Sequence, residues 1–97
     1  MELTELLKNF LDEQGRLTLF PSKRKKKIAA LAYLASKFES ARVYTEKEVN
    51  ELLGAWHTFG DPATLRREMY DYCFLNRELD GRSYRLEEPQ PDASLWS

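Results

Sequence analysis

Apolar residues recur at helical spacing in the first turns of the chain, at Leu3, Leu6, Leu7, Phe10 and Leu11, and Gly15 follows as a stop in the left-handed conformation. This predicts a short amphipathic helix. From Arg16 to Phe20 the period drops to two, with Leu17 and Leu19 on one side and Thr18 on the other, which suits a short strand. Pro21-Ser22 then opens a second helix through KRKKKIAALAYLASKFES, with Ser22 as its N-cap. Its stripe of Ile28, Leu31, Ala35 and Phe38 is opposed by Ala29, Ala30 and Tyr33. Such a helix is apolar nearly all round and is expected to be buried on both faces, with the leading helix as its second cover.

Arg42-Val43-Tyr44 reads as a brief extended piece, and Thr45-Glu46-Lys47-Glu48 after it has the form of a capping box. Val49, Leu52, Leu53 and Trp56 fill one face of the helix that follows. The chain breaks at Gly60-Asp61-Pro62, where Asp61 as N-cap and Pro62 in the first helical position start another helix, with Leu65, Met69 and Tyr72 facing inward. CFLNRELDGRSYRLE then predicts a hairpin turning at Asp80-Gly81 as a type I′ turn. In that register Leu75 faces Leu86, Arg77 faces Tyr84 and Leu79 faces Arg82. The remainder, EEPQPDASLWS, has no periodicity and is expected to be mobile, with Leu95 and Trp96 its only candidate anchors.

From Ser22 onward the order is helix, short strand, helix, turn, helix, hairpin, which is the order of a winged helix-turn-helix. The expected fold is therefore α+β: a winged helix-turn-helix-like domain with an extra N-terminal helix and short strand. Residues 1–86 make one domain, of which 1–20 are the extension, and 87–97 are a tail.

Composition narrows the chemistry. A chain of 97 residues with 42% apolar content supports one core. Its 15 Lys and Arg against 16 Asp and Glu leave a net charge of −1, so any attraction to an anion must be local. The first residues, MELTELLKNF, do not resemble a secretory signal, and no apolar run approaches the ~20 residues that span a bilayer. A cytoplasmic location and no membrane partner are the expectation. With one cysteine and one histidine, neither an internal disulfide nor an ordinary zinc site is expected, and no cofactor fingerprint occurs. Cys73, between Tyr72 and Phe74, is expected as a buried, inert thiol. His57 stands at a helix end, where a dipole or packing role is ordinary. No base stands beside a nucleophile and the carboxylates are scattered, so an enzyme is not expected.

Two surfaces remain as candidates. With Leu65, Met69 and Tyr72 inward, Ala63, Arg66, Arg67 and Tyr70 fall on or near the outer face of the last helix, where Arg suits guanine edges or phosphate and Tyr suits phosphate. Arg82 and Arg85 on the hairpin, with Arg77 and Ser83, suit backbone contact. The alternative for each is pairing with neighbouring acids: Glu68 and Asp71 on the helix, Glu78, Asp80, Glu87 and Glu88 at the hairpin. The second surface is Ser22, Lys23, Arg24, Lys25, Lys26 and Lys27, a basic run in the first turn of a helix, where the dipole favours negative charge. Five such residues fan around the helix end as a crown for a phosphate or an acidic partner. Alternatively they are a solvated end balanced by carboxylates such as Glu87 and Glu88.

The stretches FLDEQGRLTLFPSKRKKKIAALAYLASKF, YTEKEVNELL and LRREMYDYCFLNRELDGRSYRL resemble an uncharacterised bacterial family known as a domain of unknown function, the 2087 family. The likeness runs from about Phe10 to Leu86, and FPSKRKKK is its most specific piece. Two departures stand out: Cys73 occupies a position where such sequences often have glycine, and WHTFGDP is an atypical link between helices. Because members look like small standalone proteins or modules attached to transcriptional regulators, the resemblance implies a regulatory setting and no reaction. The first expectation is a transcription-regulating module that binds duplex DNA. The second is a module that docks a protein partner or a second copy of itself as a homodimer. A sensor of a small anion is the third.

Overall fold

In a computed structural model describing residues 2–96, the helix starts that carry local caps lie where the residues place them. Helix α3 (Glu46–Ala55) begins in a complete capping box: Thr45 Oγ1 accepts from the Glu48 amide at 3.1 Å and Glu48 Oε1 accepts from the Thr45 amide at 2.9 Å. The Thr45 amide holds the Glu48 carboxyl below the usual carboxylate range. Helix α4 (Pro62–Asp71) begins behind Asp61, whose Oδ1 accepts from the Thr64 amide at 3.2 Å.

Helix α2 (Arg24–Ala35) departs from expectation at both ends. Ser22 is not its cap: Lys23 is the N-cap, and no side chain caps the helix. Pro21 is buried and Phe20 packs on the core, so the chain is drawn inward before Ser22, which stays exposed. At the far end the helix tightens into successive three-residue bonds, Ser36 N to Tyr33 O, Lys37 N to Leu34 O and Phe38 N to Ala35 O. It stops at Ala35, and Phe38 is carried into the core edge-on to Tyr44, 5.1 Å between ring centres. Between these ends every residue from Ile28 to Ala35 is buried, as its all-round apolar pattern requires.

The leading segment covers part of α2, but not as one helix followed by a strand. Helix α1 is a single turn, Leu3–Leu6, followed by a 3₁₀ turn at Lys8–Phe10, with Leu7 fully buried. Gly15 is not a helix stop. It has φ +78° in a tight turn that Asp12 organises by accepting the Gln14 and Arg16 amides at 3.0 and 2.8 Å. A side chain at Gly15 would bring its Cβ within 3.0 Å of the Tyr33 hydroxyl, which donates to the Gly15 carbonyl at 2.6 Å. The expected strand over Arg16–Phe20 shrinks to one bridging residue. Leu17 pairs antiparallel with Leu11 and parallel with His57, its amide donating to Trp56 O at 2.8 Å and its carbonyl accepting from Thr58 N at 2.9 Å. Neither partner belongs to a strand. Leu17 is fully buried while Leu19 is 61% exposed, so the two do not share a face.

The sheet consists of β1 (Tyr44–Thr45), β2 (Leu75–Arg77) and β3 (Ser83–Leu86), antiparallel in the order β1-β3-β2. Tyr44 lies opposite Tyr84 on one side of β3, and Leu75 opposite Leu86 and Arg77 opposite Tyr84 on the other. The turn is not type I′. Asp80 keeps a negative φ, Gly81 alone is left-handed at +70°, and the Gly81 amide bonds the Glu78 carbonyl at 2.9 Å. The Glu78 amide donates to Ser83 O in the same register, and Leu79 and Arg82 lie beyond it, in the turn and outside the paired strands. Leu79 stands at the tip, fully exposed.

Both α1 and α4 pack on α2, and α3 packs on α4 and on the sheet. The result is a mixed α+β fold of four helices and a three-stranded antiparallel sheet among the described residues. Past β3, Glu87 N and Gln90 Nε2 both donate to Phe74 O at 3.0 Å, and the Trp96 ring lies 6.3 Å from that of Phe74. No described helix is long and apolar enough to cross a membrane.

Candidate nucleic-acid interface

The adjacent arginines of α4 have separate tasks, because successive helical positions point ~100° apart. Arg66 is turned inward. Its Nη1 donates to Asn50 Oδ1, its Nη2 lies 3.4 Å from Glu46 Oε1, and its guanidinium sits 6.0 Å from the Tyr84 ring centre. With its side chain 17% exposed, it ties α4 to α3 and β3. Arg67 faces solvent, as does Tyr70 one turn on at 44% exposure. Ala63 is exposed in the first turn of the same helix.

Between α4 and the hairpin lies a cleft of about 200 Å³ lined by Glu46, Arg66, Arg67, Tyr70, Arg77 and Tyr84. Three guanidiniums face one carboxylate there, so the cleft is locally basic in a chain that is nearly neutral. Arg77 reaches it from β2, stacked 5.8 Å above Tyr84 with Nη2 donating to Gly81 O at 2.9 Å. At the hairpin tip Arg82 is exposed and its amide bonds Asp80 Oδ1 at 2.8 Å. Arg85 is occupied, its Nε 2.8 Å from Glu78 Oε1. Of the nominated residues, Arg66, Arg67 and Tyr70 share this cleft, while Ala63, Arg82 and Arg85 lie outside its lining. The residues alone predict Arg77 as a hairpin contact, but not Tyr84 and Glu46 as members of the lining or Asn50 as the partner of Arg66. The pairing of Arg77 with Tyr84 was a usable signal; the reach of Arg66 to α3 had none.

The basic run forms a different surface. Ser22, Lys23, Arg24 and Lys25 are exposed; Lys26 and Lys27 are half-buried, with their ammonium groups each 5.5 Å from an aromatic ring centre, of Phe10 and Phe20 respectively. Among the described residues none of Lys23 to Lys27 enters an ion pair, with Glu87, Glu88 or any other carboxylate. The first turn of α2 holds no acid. Ser22, Lys23 and Lys26 border a cleft of about 340 Å³ that has no residue in common with the one beside α4. The structure keeps the two candidate surfaces apart.

Cys73 and His57 line neither cleft. Cys73 is exposed, not buried, because it occupies the left-handed position that closes α4, with φ +66°. Its amide donates to Tyr70 O at 3.1 Å and the next amide, of Phe74, reaches Met69 O at 2.8 Å, the double bond of a Schellman ending. His57 is buried, receiving the Asp61 amide on Nε2 at 2.9 Å and contacting Leu53 O through Nδ1 at 2.5 Å. Since an amide can only donate, Nε2 is the acceptor and Nδ1 carries the proton. Both ring nitrogens are therefore engaged in holding the turn between α3 and α4. Among the described residues no cluster of three or more His, Cys, Asp or Glu is placed to hold a metal ion.

A family model described as "Uncharacterized protein conserved in bacteria (DUF2087)" matches residues 16–86. The chain belongs to this family. The DUF2087 match takes in every element from α2 to β3 and the whole lining of the α4 cleft, and leaves out α1 and Phe10. No curated protein and no solved structure matches the chain.

Proposed function

We propose that this chain is a winged helix-turn-helix module that binds duplex DNA in a regulatory setting, with α4 as the recognition helix and β2–β3 as the wing. The order α2-β1-α3-α4-β2-β3 with strands arranged β1-β3-β2 supports the architecture. The observation that carries the function is the basic cleft in which Arg67 and Tyr70 of α4 and Arg77 of the hairpin open to solvent together. In this reading α4 enters the major groove, Arg67 meets a phosphate or a guanine edge, and the Tyr70 hydroxyl donates to a phosphate. Arg82 at the wing tip follows the backbone or the adjacent minor groove. Arg66 makes no contact with DNA and acts by holding α4 against Asn50 and Glu46.

With Arg67, Arg77 and Arg82 each neutralising one phosphate, the salt slope is about −2.7, so affinity falls by about 40-fold between 50 and 200 mM salt. Fluorescence anisotropy with duplex DNA across that range is the test. Replacing Arg67 and Arg82 together by alanine is expected to reduce the slope by about 2 while leaving the melting temperature within a few degrees. Absence of binding at low salt, or an unchanged slope in the double variant, overturns the reading.

A further inference from the structure

We propose that the cleft between the leading segment and the start of α2 binds a small amphipathic anion, an aryl or short alkyl phosphate or carboxylate. Its apolar body lies against Phe10, Leu19 and Phe20, and its charged head is held by Lys23 and Lys26. The inference rests on observations independent of the DNA-binding reading.

The volume, about 340 Å³, is at the small end of the range for metabolite sites, roughly 300–1,000 Å³. Its walls are apolar where a surface groove would ordinarily be polar. Leu19 is 61% exposed beside the half-buried rings of Phe10 and Phe20 and the buried Pro21. Covering Leu19 and the two ring edges is the gain an apolar body would bring. Charge selects the other half of the ligand. The lining contains Lys23 and Lys26 and no carboxylate, and neither lysine has an ion-pair partner among the described residues. Lys26 is held with its ammonium 5.5 Å from the Phe10 ring centre, and Lys27 holds the same relation to Phe20. The aromatic faces take cationic charge out of bulk water at the rim of an apolar pocket, where its attraction for an anion is strengthened. A neutral apolar molecule would leave these charges unanswered, and inorganic phosphate would leave Leu19 uncovered. A DNA backbone offers Leu19 only the edges of its sugars and no aryl or alkyl body, which separates this site from the surface beside α4.

The test is an amide NMR titration of the full chain at fixed ionic strength, with phenyl phosphate and hexyl phosphate as probes and inorganic phosphate and benzyl alcohol as controls. At least one amphipathic probe is expected to give saturable shifts centred on residues 19–27, with both controls about tenfold weaker or more. Leu19→Ser and Lys23→Gln, both at exposed positions and so compatible with the native fold, are expected to weaken that binding about fivefold and about threefold respectively. Retention of affinity in both variants overturns the proposal, as do inorganic phosphate binding as tightly as the organic phosphates and shifts that map to Arg67 and Tyr70. Absence of saturable shifts from both organic phosphates also overturns it. None of these results bears on the salt-dependent binding of duplex DNA.

Discussion

Cys73 holds φ at +66° immediately after the C-cap of α4, a conformation that crowds any Cβ against the backbone and costs an L-residue about 1–2 kcal/mol. Glycine removes that cost and brings its own, since it loses more conformational freedom on folding, about 0.5–1 kcal/mol. Cys73 is exposed, so its side chain contributes little burial that glycine would forfeit, and the two closing bonds from the Cys73 and Phe74 amides need no side chain at all. The difference predicts that Cys73→Gly stabilises the protein by about 0.5–1 kcal/mol. For a domain of this length that is a rise in melting temperature of roughly 2–8 °C. Urea denaturation under reducing conditions measures it, with an unchanged slope showing that the gain is in stability and not in the compactness of the unfolded chain. Cys73→Ala is the decisive comparison, because it removes the thiol and keeps the Cβ. The alanine protein should match the wild type within about 0.3 kcal/mol, and a glycine protein no more stable than the alanine one would refute the argument from backbone strain.

Two other positions give distinct signatures. His57→Ala removes a buried ring, leaves the Asp61 amide and the Leu53 carbonyl without their partner, and loosens the turn into α4. A loss of about 2–4 kcal/mol in thermal or chemical unfolding is expected, and a loss below about 1 kcal/mol would show that the ring's two contacts are dispensable. Asp61 has its carboxyl held below the usual range by the Thr64 cap, so its contribution is fully present above the carboxylate range and is lost as pH falls through the lowered value. The melting-temperature gap between wild type and Asp61→Asn should therefore be constant above about pH 5 and narrow below about pH 4; a gap that does not change with pH contradicts the charged cap.

What could be read from the residues was local. Thr45 and Glu48 recognise each other within one turn, Asp61 caps and Pro62 opens α4 within its own first turn, and the facing of Leu75 with Leu86 follows from the spacing around a short loop. The readings that failed depended on distant partners or on the path of the chain between elements. Leu17 is fixed by Trp56 and Thr58, some forty residues on, so an alternating pattern yields one bridge and not a strand. Ser22 has the chemistry of a cap, but burial of Pro21 starts the helix beyond it. Cys73 lies between two aromatic residues yet points outward, because the left-handed backbone turns its side chain away from the core that Phe74 enters. The candidate sites divide the same way. Arg66 and Arg67 are indistinguishable as letters and are separated only by the presence of Asn50 and Glu46 on α3, and the apolar wall of the second cleft exists because Phe10 is brought to Lys26.

The full enclosure of α2 also determines how the molecule comes apart. A helix with no solvent-facing side between Ile28 and Ala35 cannot remain stable with only one of its covers in place. Lifting the leading segment strips apolar surface from the same helix that α4 needs as its floor, so neither layer has an independent stability to fall back on. Leu17 adds a second tie, since its two backbone bonds to the turn before α4 break in the same event. The leading segment and the helix-and-sheet unit therefore share a single unfolding transition, and protection of backbone amides against exchange along α2 reports the global stability of the whole domain.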